Sequence, residues 1–103
     1  TDMIDQLKAK YSELNDESKS ALFNVLIKFG HENFVLERSR SSLKNIVGEV
    51  FDQKISLESL GKLGTFNDFE IIKPFLNSPF EQVQVSAVLS MIKLLDRHKS
   101  DFS

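Results

Sequence analysis

Apolar residues recur along this chain at three- and four-residue steps with charged residues between them, the pattern of helices that each bury one face. Met3, Ile4, Leu7, Tyr11 and Leu14 form the first such run. "LNDES" interrupts it, and Asp16 or Ser18 can cap a second helix through "SALFNVLIKF". Gly30 follows where a left-handed backbone ends a helix at little cost to glycine. Further on, Phe34, Val35, Leu43, Ile46, Val47, Val50 and Phe51 keep helical spacing, although "ERSRSS" holds no apolar residue. The spacing predicts one long helix to about Phe51, with a break inside the serine-rich stretch as the alternative. "DQK" then reads as a turn, "ISLESLGKL" as a compact helix closed by Gly64, and "TFND" as a loop whose Asn67 or Asp68 caps "FEIIKPFL". In "LNSPFEQV" one helix stops and another starts almost at once. Ser78 suits an N-cap, Pro79 the first helical position, and Glu81 completes a capping box. The last helix runs to about His98, leaving "KSDFS" as a frayed polar tail. No segment alternates long enough for a strand, and no Asn-Gly or Asp-Gly marks a hairpin. The expectation is an all-α chain of about six helices.

These helices repeat. Aligning "ALFNVLIKFG", "ISLESLGKLG" and "SAVLSMIKLL" superposes Leu26 with Leu60 and Met91, Phe29 with Leu63 and Leu94, and Lys28 with Lys62 and Lys93. The lysines are 34 and 31 residues apart, a period suited to one helical hairpin per repeat. "LNSPFEQV" is then the turn inside a hairpin.

The segment "LGKLGTFNDFEIIKPFLNSPFEQVQVSAVLSMIKLL" resembles a HEAT or HEAT-like repeat, clearly over Ile55 to Leu95 and faintly before it. A Leu-Gly-Lys-Leu-Gly helix end precedes a two-helix unit, and Pro74 stands where such units carry a proline inside the first helix. The resemblance implies an α-solenoid-like stack of three helical hairpins, residues 1–103 forming one domain with repeats at about 3–30, 32–64 and 68–98. It also implies a kink at Pro74. The family often places an arginine after the first valine of the second helix, paired with an acid of the next repeat. Here that place is Gln84, which takes away one partner of such a ladder. Repeats of this kind host many roles, so the resemblance speaks to fold more than to function.

Composition narrows the function. A formal charge of −2 gives no general attraction to nucleic acid or to an anionic membrane. The chain has no cysteine, which rules out disulfides, thiol nucleophiles and thiolate metal sites and points to a reducing, cytoplasmic setting. No apolar run reaches the length of a membrane span, since "VSAVLSMIKLL" is short and carries Lys93. Beginning at Thr1 with no signal-peptide pattern, the chain reads as a domain of a longer protein.

Candidate chemistry is sparse. "FDQKISLESL" is similar to the exit of a calcium-binding loop. A loop opened at Asp52 puts Leu63 at the twelfth place, and one opened at Gly48 puts Ser59 there, so neither supplies the closing glutamate. His31 and His98 stand alone and suit solvated or capping roles. Ser39, Ser41 and Ser42 beside Arg38 and Arg40 read as a polar helical face before they read as a phosphorylation site. Gly61 and Gly64 end a helix and do not follow a strand, so they form no phosphate loop. No catalysis, metal or cofactor is expected.

Two surfaces remain. Lys28, Lys62 and Lys93 hold equivalent repeat positions and form a candidate basic column for an acidic partner, weighed against ordinary solvation of the helices. In the last helix Gln82, Ser86, Ser90, Lys93 and Arg97 read as a narrow polar stripe. A face of Val83, Ala87, Met91 and Leu94 suffices to pack that helix on its own hairpin. Val85, Leu89 and Ile92 are then surplus, a candidate apolar docking face for further repeats of a parent chain, a second copy or a partner protein. The expected role is a non-enzymatic protein-interaction scaffold. The alternatives are a nucleic-acid-binding HEAT-like module, which the acidic balance disfavours, and a chromophore-lyase-type enzyme, for which no catalytic residue can be named.

Overall fold

The structure, a computed structural model, describes residues 2–45 and 48–98. The expected tail at Lys99–Ser103, and Ile46 and Val47, lie outside the described residues. Among the described residues the chain is helical with no strand: α1 (Asp2–Ala9), α2 (Asp16–Lys28), α3 (Glu32–Leu43), α4 (Val50–Leu63), α5 (Phe69–Ile72) and α6 (Glu81–Arg97). It divides into two compact units, Thr1–Val35 and Leu36–Ser103, with the boundary inside α3.

In the first unit the opening apolar run does not continue as one helix. It ends at Ala9 and resumes as a single 3-10 turn, Tyr11–Glu13. That turn sets the Tyr11 ring flat against Phe23, centroids 4.9 Å apart, beside the buried Leu22 and Leu26. The cap of α2 is neither Asp16 nor Ser18. Asn15 takes the place, its side-chain oxygen accepting from the Ser18 N–H at 2.8 Å. At the other end Gly30 adopts φ +84°, and the amides of Gly30 and His31 donate back to the carbonyls of Ile27 and Leu26. This closes the Schellman turn that the glycine foretold.

In the second unit α3 ends at Leu43, after the serine-rich stretch, α4 begins at Val50, and the expected "DQK" turn lies within α4. The expected helix does run through the serine-rich stretch, where tertiary partners support it, but it does not extend to Phe51. Ser39 is fully buried, Arg40 is paired with Asp68, and Gln53 of the supposed turn is buried.

α4 and α6 pack against each other over a core of Leu57, Leu60, Val83, Ala87 and Leu94, to which Leu43, Ile72 and Phe75 add. Burying each such aliphatic side chain contributes about 1.5–3 kcal/mol. The helices meet closely at Gly61: a Cβ placed there would stand 2.9 Å from the Cα of Ser90. The Ser90 hydroxyl then donates to the Leu57 carbonyl at 2.5 Å.

Between these helices the chain turns tightly. Thr65 precedes a 3-10 turn, Phe66–Asp68, and donates its N–H to Asp68 Oδ2 at 2.8 Å, closing a capping box. α5 follows for one turn and tightens into a 3-10 segment, Lys73–Asn77, at Pro74, whose missing N–H interrupts the α-helical ladder. Phe80, not Ser78, is the residue before α6. The Ser78 hydroxyl instead accepts the Phe80 N–H at 3.1 Å, and Gln84 reaches back to donate to the Leu76 carbonyl at 2.9 Å.

Candidate functional site

α6 is apolar on two opposite faces. At roughly 100° per residue, Val83, Ser86, Ala87, Ser90 and Leu94 share the face turned to the core, and all are buried. The expected polar stripe is therefore corrected at Ser86 and Ser90, both buried, Ser90 as the small residue at the close contact with Gly61. On the opposite side stand Val85, Val88, Leu89, Ile92 and Leu95, with 48, 42, 52, 53 and 43% of their surfaces in water. Val85, Val88, Ile92 and Leu95 follow a 3-4-3 spacing, the a and d positions of a heptad, with Leu89 beside them.

This exposed stripe continues into an open groove of about 670 Å³ between α4 and α6. Val85 and Leu89 line it from α6, Val50, Lys54 and Glu58 from α4, and the half-exposed Phe80 from the turn before α6. A helix whose one side is in a core needs no apolar residues on the other. A contiguous run of five is the kind of patch that marks an interaction surface.

The candidate docking residues Val85, Leu89 and Ile92 thus lie together, in the open. Val88 and Leu95 belong with them, and their signal was legible in the 3-4-3 spacing. The lysine column is distributed differently. Lys28 is exposed in the first unit, while Lys62 and Lys93 are exposed on α4 and α6 in the second, either side of the Gly61–Ser90 contact. Lys28 and the other two belong to separate units.

A two-point ion pair of the second unit lies elsewhere. Arg40 Nε donates to Asp68 Oδ1 at 2.8 Å and its Nη2 to Oδ2 at 2.9 Å, a two-point clasp between α3 and the turn before α5. Burial pushes the Asp68 carboxyl up, but the hydrogen bonds from Arg40 and Thr65 and the Arg40 charge outweigh it and hold it below its ordinary value. Asp68 is only 2% exposed, and all of its acceptor capacity is turned inward, so this is a structural strut.

Comparison with protein-family models, curated proteins and solved structures found no match to this chain. Its surfaces must speak for themselves. Among the described residues no three His, Asp or Glu side chains come together as a metal site. His31 accepts from Lys8 Nζ at 3.3 Å, and His98 sits at the C-terminal cap of α6. Of the serines near Arg38 and Arg40, Ser39 is buried, whereas Ser41 is exposed. Among the described residues no helix is long and apolar enough to cross a membrane.

Proposed function

We propose that this chain is a non-enzymatic protein-binding module, built as a short HEAT-like stack, whose outer α6 face is the contact surface. The observation that carries the reading is the apolar stripe from Val85 to Leu95, set opposite the face of the same helix that enters the core. Support for a HEAT-like arrangement comes from α4 and α6, the second helices of successive repeats in the sequence alignment, packing directly on each other through Gly61 and Ser90. The change from α-helix to 3-10 segment at Pro74 supports the same reading, since the resemblance implies a kink at that residue.

The test is photo-cross-linking in cells from a benzoylphenylalanine at position 88, with position 44, on the exposed Lys44, as the control. A discrete protein adduct from position 88 that is absent from position 44, and lost on adding Leu89→Glu to a chain of unchanged helicity, is the expected result. Identical adducts from both positions, or unfolding by Leu89→Glu, would overturn the reading.

A further inference from the structure

The ends of the stripe carry charge, and that charge selects among its occupants. Projected at roughly 100° per residue, Glu81 and Asp96 fall on the same face as Val85, Val88, Leu89, Ile92 and Leu95, one at each end, and both are exposed. In the adjoining groove Glu58 and Glu81 outnumber Lys54. Lys93, one turn after Leu89 and about 40° round from it, stands at the edge of the stripe, between its charged ends. Arg97 is committed to the end of α4, donating to the carbonyls of Lys62 and Gly64. The apolar surface is therefore bracketed by carboxylates.

A second copy of this helix meets the charged ends of that surface differently in each register. An antiparallel two-fold pairing centred between Val88 and Leu89 covers the whole stripe, but it sets Glu81 of each copy against Asp96 of the other. A shift of one turn sets Ile92 against Glu81, or Val85 against Asp96. A parallel two-fold pairing sets each acid against itself. The register centred on Ser90, which faces Val85 with Leu95 and Val88 with Ile92, avoids these clashes but sets Asp96 against Gln84 and so offers that carboxylate no cation, which a basic partner helix does.

We infer that the α6 stripe receives an amphipathic helix of another protein, with apolar residues at heptad spacing and basic residues toward its ends. Such a helix buries the five apolar side chains and places its cations beside Glu81, Asp96 and Glu58. The acidic brackets equally turn the stripe away from an anionic lipid surface. This inference rests on the protein-binding reading above and narrows it to one class of partner.

Two synthetic amphipathic peptides with the same leucine heptads, one with lysine and one with glutamate at the flanking positions, provide the probe. Fluorescence anisotropy at low salt is expected to show the lysine peptide binding at least about fivefold tighter, a preference that salt diminishes. Neutralising the brackets with Glu81→Gln and Asp96→Asn is expected to remove the preference and leave apolar binding. Leu89→Glu is expected to abolish binding although it makes the chain more acidic, which separates docking from simple charge attraction. Equal affinity for the two peptides would overturn the charge selection and leave the protein-binding reading standing. So would sedimentation as a dimer that Leu89→Glu dissolves, which would give the stripe to a second copy. Binding to phosphatidylcholine vesicles in preference to either peptide would give it to lipid and overturn both readings. A monomer that binds neither peptide and yields no adduct from position 88 would also overturn both.

Discussion

At the scale of single residues, small and polar side chains decide how this molecule packs. Serines that hydropathy assigns to the surface (Ser39, Ser56, Ser59, Ser86 and Ser90) are all buried. Gly61 shows why small size matters there. In a helix interior, Gly→Ala ordinarily gains about 0.5–1 kcal/mol, but here the new methyl meets the Ser90 backbone, which cannot rotate away. Overpacking costs about 1–3 kcal/mol, so Gly61→Ala is expected to destabilise by about 1 kcal/mol, measured as a lower urea midpoint. Asp68 supplies a second test. Its folded-state carboxyl lies below its ordinary value of 3.8, so its contribution is present above that value and is lost as pH falls through the folded-state one. Asp68→Asn is expected to cost about 2 kcal/mol near neutral pH, discounted because Arg40 is partly in water. The gap between wild type and variant should stay constant down to about pH 5 and narrow in stronger acid, as followed by urea unfolding across pH.

At the scale of elements, the sequence announced most of the helices and misplaced several of their boundaries. The ends marked by local chemistry were legible: Gly30 closes α2, and α6 ends at Arg97 with His98 as its cap, whereas at Pro74 the expected single helix gives way to a 3-10 segment. The start of α4 was not legible, because Val50 and Phe51 keep the helical spacing of the residues before them, so the pattern runs two helices into one. The candidate surface divides in the same way. Val85, Leu89 and Ile92 stand on the exposed face of α6, since heptad spacing belongs to the helix itself. Ser90 was misassigned because the identity of the facing residue, Gly61, makes a small hydroxyl side chain suit that contact. The element-level prediction concerns that exposed face. Leu89→Glu is expected to leave the circular dichroism unchanged and to shift the unfolding midpoint by no more than about 0.5 kcal/mol. A Leu94→Ala change on the opposite face is expected to cost about 2–5 kcal/mol.

At the scale of the molecule, stability is expected to be unevenly distributed. The core cluster of Leu57, Leu60, Val83, Ala87 and Leu94 belongs wholly to the second unit, whereas α1 is a helix of 8 residues with no buried hydrophobic side chain of its own. Amide hydrogen exchange should be slowest in α4 and α6 and fastest in α1. The link from Arg97 to the carbonyls of Lys62 and Gly64 adds a consequence for where this chain tolerates cutting. Those carbonyls close the last turn of α4, so the far end of one helix is finished by the far end of another. A protease that trims the molecule back to Leu95 removes no core residue, yet it strips α4 of its terminal acceptor contacts. The shortened chain is expected to melt lower and to be nicked next near Leu63, while one trimmed only to His98 resists digestion like the intact form.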